Sequence, residues 1–221
     1  MQKSNHMQLD VISDTVCPWC YIGKRRLDKA ITAWDRKDVE IAVTWRPYQL
    51  DATIPAEGVD RQKYYERKFG TERAKEAGKV IAELGEQEGI HFAFDKIKRS
   101  PNTLDSHRLV KWAGTAGVQL EAVELLFKRY FEDGADIGQH EVLIEVATDI
   151  GMDADLVREL LATDTDRKHI EDEDHMAREM GVTGVPCFLF ENKFSVVGAQ
   201  DVETLTKVFT RVQTRLVEQA S

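Results

Sequence analysis

Two of the three cysteines of this 221-residue chain stand together as Cys17-Pro18-Trp19-Cys20. At that spacing one sulfur can attack a disulfide and the second, one helical turn on, can displace the product. At a helix N-terminus the unbonded backbone N–H groups and the macrodipole favour a thiolate, by about 0.3 to 1 kcal/mol. Pro18, which has no N–H to lose, suits the first helical turn. On this reading Cys17 is the exposed nucleophile in the first turn and Cys20 turns inward as the resolving thiol, with hydrogen bonds from Trp19 and Cys20 groups adding to the stabilisation of the Cys17 sulfur. A zinc site would need two further ligands, and the chain has neither a second such pair nor a His-x3-His. His169 and His175, set among acidic residues, read better as a solvated helix face, so no metal site is expected. Two inert core cysteines are the remaining alternative.

The rest of the composition narrows the setting. With 42% hydrophobic and 31% charged residues the chain is ordinary and globular, one large domain or two small ones. Its 39 acidic against 30 basic residues give a formal charge of -9, the wrong sign for neutralising nucleic-acid phosphates and unfavourable towards anionic membranes. Nucleic acid and membrane are therefore not expected partners. Three cysteines cannot make a disulfide framework. The stretch 185–190 is short and contains Pro186, against the roughly 20 apolar residues that span a bilayer, and no leader is visible near the N-terminus. A cytoplasmic protein is expected, with the polar residues 1–7 outside the fold.

Hydrophobic periodicity places the cysteines. Residues 9–13 form a β-prone run centred on Val11 and Ile12 that stops at Asp14-Thr15, both N-cap types. Leu27, Ala30, Ile31, Ala33 and Trp34 then mark one face of a long helix opening at the cysteines. Ile41, Val43 and Trp45 alternate as a second strand. Strand, helix, strand predicts a parallel pair with a right-handed crossover. Residues 51–60 lose periodicity around Pro55 and Gly58 and read as a boundary. Helices follow around Ala74–Leu84, Val123–Phe131, Val142–Ile150, 153–161 and 166–180, with Gly89, Gly117, Gly134 and Gly151 at stops. After Gly181, residues 185–190 and 194–197 form a hairpin, and Leu205, Val208, Phe209, Val212 and Leu216 stripe a last helix.

Several of these segments carry a resemblance. The opening Ser13-Asp14-Thr15-Val16-Cys17-Pro18-Trp19-Cys20-Tyr21-Ile22-Gly23 resembles the active-site opening of the DsbA-like thioredoxin superfamily, in its cytosolic FrnE-type branch of disulfide oxidoreductases. Gly184-Val185-Pro186 resembles the superfamily's cis-proline loop. Trp45-Arg46-Pro47-Tyr48-Gln49-Leu50, Pro101-Asn102-Thr103 and Ser106-His107-Arg108-Leu109 are also similar to this branch.

The resemblance implies an α/β thioredoxin fold, βαβ plus ββα, over residues 8–52 and 166–217, interrupted by a large all-helical insertion over 53–165. It implies a thiol-disulfide oxidoreductase or isomerase acting on protein or small disulfides, with no bound cofactor and glutathione as a candidate co-substrate. Cys17 and Cys20 are its catalytic pair, Pro18 and Trp19 the tuning dipeptide, and Pro186 is expected cis. Thr183, Gly184, Val185 and Pro186 would meet a substrate strand, and Asn102, His107 and Arg108 would contact substrate from the insertion. Relatives include homodimers, so a dimer is within the expectation. Trp19 stands where the periplasmic oxidant of the superfamily has His, which predicts a couple less oxidising than about -120 mV. Cys187 reads as a buried bystander. The competing function is a glutathione-dependent isomerase or transferase of the 2-hydroxychromene-2-carboxylate isomerase or kappa-class type, which usually has Ser where this chain has Cys17.

Overall fold

The computed structural model describes residues 6–219. In chain order the elements are β1 (His6–Ser13), α1 (Pro18–Ala33), β2 (Glu40–Pro47), β3 (Val59–Asp60), α2 (Arg61–Phe69), α3 (Thr71–Glu88), β4 (Arg99–Ser100), α4 (Leu104–Thr115), α5 (Gln119–Phe131), α6 (His140–Asp149), α7 (Ala154–Leu161), α8 (Arg167–Glu179), β5 (Cys187–Phe190), β6 (Phe194–Val197) and α9 (Val202–Gln219). The main sheet has the order β2-β1-β5-β6. β1 and β2 are parallel, joined through α1, and β5 runs antiparallel to both β1 and β6. This is the βαβ plus ββα arrangement expected of a thioredoxin fold.

Three expectations need correcting. Of residues 1–7, placed outside the fold, His6 and Met7 open β1 and Met7 is fully buried, because β1 pairs with β2 from its first residue; the first five lie outside the described residues. The insertion is not all helical: β3 and β4 pair as a short antiparallel ladder that ties the start of α2 to the entry of α4. The first helix is capped by neither Asp14 nor Thr15. It starts at Pro18 with Cys17 in the N-cap position, since the proline fixes φ at the first helical residue.

Alternation along the strands sorts the core into two faces. Leu9, Val11, Phe188 and Phe190 face α1 and α9, where Cys20, Leu27, Leu205 and Phe209 complete the main cluster. The adjacent positions Ile12 and Cys187 point to the other face, against Tyr48 and Ala177 of the α8 layer. Asp10 also lies on that side and accepts from Arg46 Nε at 2.9 Å, while Arg46 reaches Glu173 on α8. Cys187 is thus separated from the Cys17/Cys20 pair by the sheet itself. Cys187→Ala should leave the thiol titration of the pair unchanged; a shifted midpoint in that titration would contradict the placement.

Candidate active site

The turn of residues 14–17 brings the motif to the end of β1, with Cys17 N–H bonded to the Asp14 carbonyl at 3.0 Å. All three cysteines are free thiols. Cys17 sits at the N-cap of α1 and Cys20 one turn later, so that the Cys17 thiol bears on the Cys20 sulfur. Cys17 is 3% exposed, not the open nucleophile that its first-turn position suggested. It is covered from the far end of the fold: its thiol lies 3.7 Å from the carbonyl oxygen of Val185, which the resemblance would offer to a substrate strand. From the insertion, Tyr65 lies near enough for its phenol to respond to the Cys17 charge. No sequence period could have shown this cover, because its parts are distant in the chain.

Cys20 is fully buried. Desolvation, aided by the Cys17 thiol, pushes its pKa well above the ordinary thiol value, while Ser13 and the Asp14 backbone bond the sulfur and pull the other way. The linkage sign follows. In the unfolded chain this thiol loses its proton near pH 8.5, whereas the folded state still holds it, so the folded state binds more protons and stability falls as pH rises past about 8.5. Denaturant unfolding of the reduced protein at pH 7, 8.5 and 10 should show that loss, and Cys20→Ala should reduce it; an equal loss in both proteins would assign the effect elsewhere.

The loop before β5 supplies the opposite wall. The Val185–Pro186 peptide bond is cis, Pro186 is buried, Gly184 and Val185 are half-buried and Thr183 is exposed. Gly198 N–H donates to the Pro186 carbonyl at 2.7 Å. On the α1 side Gly23 leaves room for the ring: a Cβ there would lie 2.9 Å from Pro186 Cγ. Gly23→Ala should therefore cost about 1 to 3 kcal/mol by overpacking, read in denaturant unfolding, and an unchanged midpoint would contradict this contact. Trp19 is 38% exposed beside the motif and Pro18 half-buried.

The three insertion residues divide. Asn102 spends its amide internally: Oδ1 accepts from Leu104 N–H at 2.9 Å and Gln49 Nε2 at 3.2 Å, and Nδ2 donates to the Ile54 carbonyl. Arg108 is 0% exposed. Its guanidinium donates to the carbonyls of Leu160, Thr163 and Thr165 and to Asp105, and stacks on Trp112. Instead of an open substrate surface, both meet backbone groups that the surrounding loops leave open. His107 alone joins the motif, through Asp14. The sequence reading missed Asp14 as a buried carboxylate and Gly23 as the space for the Pro186 ring. Its signal was an acid three residues before the first cysteine, which helix-capping preference explained too easily. His169 and His175 pair with Glu173 and Glu179 on the exposed side of α8, and among the described residues no group of three His, Cys, Asp or Glu side chains is placed to hold a metal ion.

A family model of the DSBA-like thioredoxin domain matches residues 8–210. The chain belongs to this family. A probable DsbA oxidoreductase from Streptomyces coelicolor is 28% identical with a TM-score of 0.87, over 95% of this chain and 91% of that one. A 2-hydroxychromene-2-carboxylate isomerase shares the fold at 17% identity and TM-score 0.71, over 97% of this chain and all (100%) of that one. So does the cytosolic disulfide reductase DsbM of Pseudomonas aeruginosa, in a structure with GSH, at 16% identity and TM-score 0.65, over 94% and 99%. The DsbA-like family supports a redox enzyme in general. Among the described residues no helix is long and apolar enough to cross a membrane.

Proposed function

We propose that this DsbA-like protein is a cytoplasmic thiol-disulfide oxidoreductase of the FrnE type, using the Cys17/Cys20 pair on protein or small disulfides. The observation that carries the reading is the placement of two free thiols one helical turn apart at the start of α1, with the Cys17 sulfur 3.7 Å from the Val185 carbonyl oxygen. In the reducing direction the Cys17 thiolate attacks one sulfur of the substrate disulfide, and the other sulfur leaves as a thiolate that takes up a proton. Cys20, deprotonated, then attacks Cys17; the Cys17–substrate bond breaks, and the second substrate thiolate leaves. The protein ends oxidised by two electrons and the substrate reduced by two. As the Cys17 thiol leaves the Val185 carbonyl, that carbonyl becomes free to accept from a substrate strand lying along residues 183–186.

Glutathione is the proposed co-substrate that resets the pair, and the cytoplasm the proposed compartment. A Cys-x-x-Cys couple in a reducing cytosol is usually transient or catalytic, and the fold neighbour DsbM is cytosolic and was solved with GSH. Trp19 beside Cys17 offers no cation to the sulfur, so we place the couple below the strongest oxidants of the superfamily, less oxidising than about -120 mV. The isomerase-type neighbour keeps a second chemistry in view, but a dithiol in the nucleophile position favours exchange. Insulin reduction and scrambled-ribonuclease reactivation, run beside a glutathione-conjugation control, test the choice. Activity in the first pair is expected; activity confined to the control would overturn it.

A further inference from the structure

The turn after β2, Tyr48-Gln49-Leu50, stands between the two sides of the active site. Towards the motif, Tyr48 N–H donates to the Ser13 carbonyl at 2.9 Å and Leu50 N–H to Asp14 Oδ2 at 2.7 Å. Towards the substrate wall, Tyr48 joins Ile12, Ala177 and Cys187 in a buried cluster, and Val182 and Val185 pack against that cluster. Val185 is the residue whose carbonyl oxygen lies 3.7 Å from the Cys17 sulfur. The place of that carbonyl beside the sulfur therefore depends on where the turn sits.

Two side chains near the end of α8 fix the turn. Asp174 Oδ1 accepts from Gln49 N–H at 2.7 Å. The Arg178 guanidinium forks across the same carboxylate, with Nε 3.0 Å from Oδ2 and Nη2 3.0 Å from Oδ1. It also donates to the Tyr48 hydroxyl at 3.0 Å and to the Gln49 carbonyl, and its central carbon lies 4.2 Å from the centre of the Tyr48 ring. The helix ends at this point: Gly181 N–H returns to the Arg178 carbonyl and Val182 N–H to the Ala177 carbonyl, and the chain runs directly into residues 183–186. One arginine thus ties the turn to the helix that delivers the substrate wall. Its side chain is 40% exposed. Ion pairs that wet add little stability, whereas a planar fork of donors fixes the geometry of what it holds.

We propose that Asp174 and Arg178 form a clamp that sets the Val185 backbone for an extended peptide, positioning residues that favour polypeptide disulfides over small ones. A peptide lying along residues 183–186 draws its affinity from main-chain hydrogen bonds, which weaken steeply once donor and acceptor move out of line. A small aromatic disulfide meets the Cys17 sulfur without those bonds. The clamp rests on the exchange reading above and adds to it a class of substrate, an extended segment of polypeptide.

Two reagents with one leaving group separate docking from chemistry. In a Cys20→Ser, Cys187→Ala background Cys17 is the remaining thiol. Its thiolate attacks 5,5′-dithiobis(2-nitrobenzoate), or the cysteine sulfur of an extended peptide disulfide-bonded to thionitrobenzoate. In both cases the S–S bond breaks, thionitrobenzoate leaves with the electron pair, and a mixed disulfide forms on Cys17. With the peptide the rate should saturate. Arg178→Gln should raise the half-saturating peptide concentration about tenfold, while the limiting rate and the rate with the small reagent stay within about twofold. Asp174→Asn, which keeps an acceptor for Gln49 N–H, should act in the same direction and keeps the test available should Arg178→Gln fold poorly. Arg178→Lys should recover little, because an ammonium lacks the fork. If half-saturation is unchanged in both Arg178→Gln and Asp174→Asn, or if the two reagents slow by the same factor, the clamp is overturned. If Cys17 forms a mixed disulfide with neither reagent in the background protein, the exchange reading falls first and the clamp with it.

Discussion

Cys17→Ser should reduce insulin reduction and ribonuclease reactivation to background while leaving the fold intact. A hydroxyl at this position can neither form the mixed disulfide nor leave as a stable anion, so no part of the exchange survives. Cys20→Ser should behave differently: attack by Cys17 should still occur, and the protein should accumulate as a mixed disulfide at Cys17, read as an adduct by mass spectrometry. The pair of results separates exchange from glutathione-dependent isomerisation, which would keep much of its rate with a serine in the nucleophile position. Residual exchange in Cys17→Ser would mean that another group does the chemistry.

Arg108→Leu carries the largest expected cost in stability. The side chain is wholly buried and holds three carbonyls, those of Leu160, Thr163 and Thr165, at the join between α7 and α8. Asp105 would keep His140 and Arg167 as partners, so the loss falls mainly on the carbonyls. The expected destabilisation is about 3 to 5 kcal/mol, a drop in Tm of roughly 10 °C. Arg108→Lys should recover little, because an ammonium cannot serve the same fork of acceptors. A variant with wild-type stability but a raised KM would instead return Arg108 to the substrate-contacting role that its resemblance implied.

The sequence was most informative where geometry is local. The Cys17/Cys20 spacing, the βαβ crossover and the hairpin after Pro186 all follow from short-range periodicity, and the positions came out as read because strand alternation and helical turns leave few alternatives. Cys187 is the clearest case: one residue of offset from Phe188 puts it on the opposite side of the sheet from the redox pair. The burial of Cys17 was not legible, since the Val185 carbonyl reaches its thiol from 168 residues further along the chain. Asn102 and Arg108 looked like substrate contacts because their side chains are polar and lie in a motif. In the fold they meet backbone groups belonging to loops whose path a sequence does not disclose. Asp14 was misjudged in the opposite sense, as a helix cap whose carboxylate proves to face His107 and the Leu50 amide.

The most direct test of the central claim is an equilibrium titration of the wild-type protein in glutathione redox buffers, quenched by alkylation and mapped by peptide mass spectrometry. The account predicts one reversible two-electron transition in which Cys17 and Cys20 become linked to each other, Cys187 remains alkylatable after unfolding, and any glutathione adduct sits on Cys17. A chain whose Cys17 and Cys20 stay reduced across the whole buffer range, or whose disulfide includes Cys187, would contradict it.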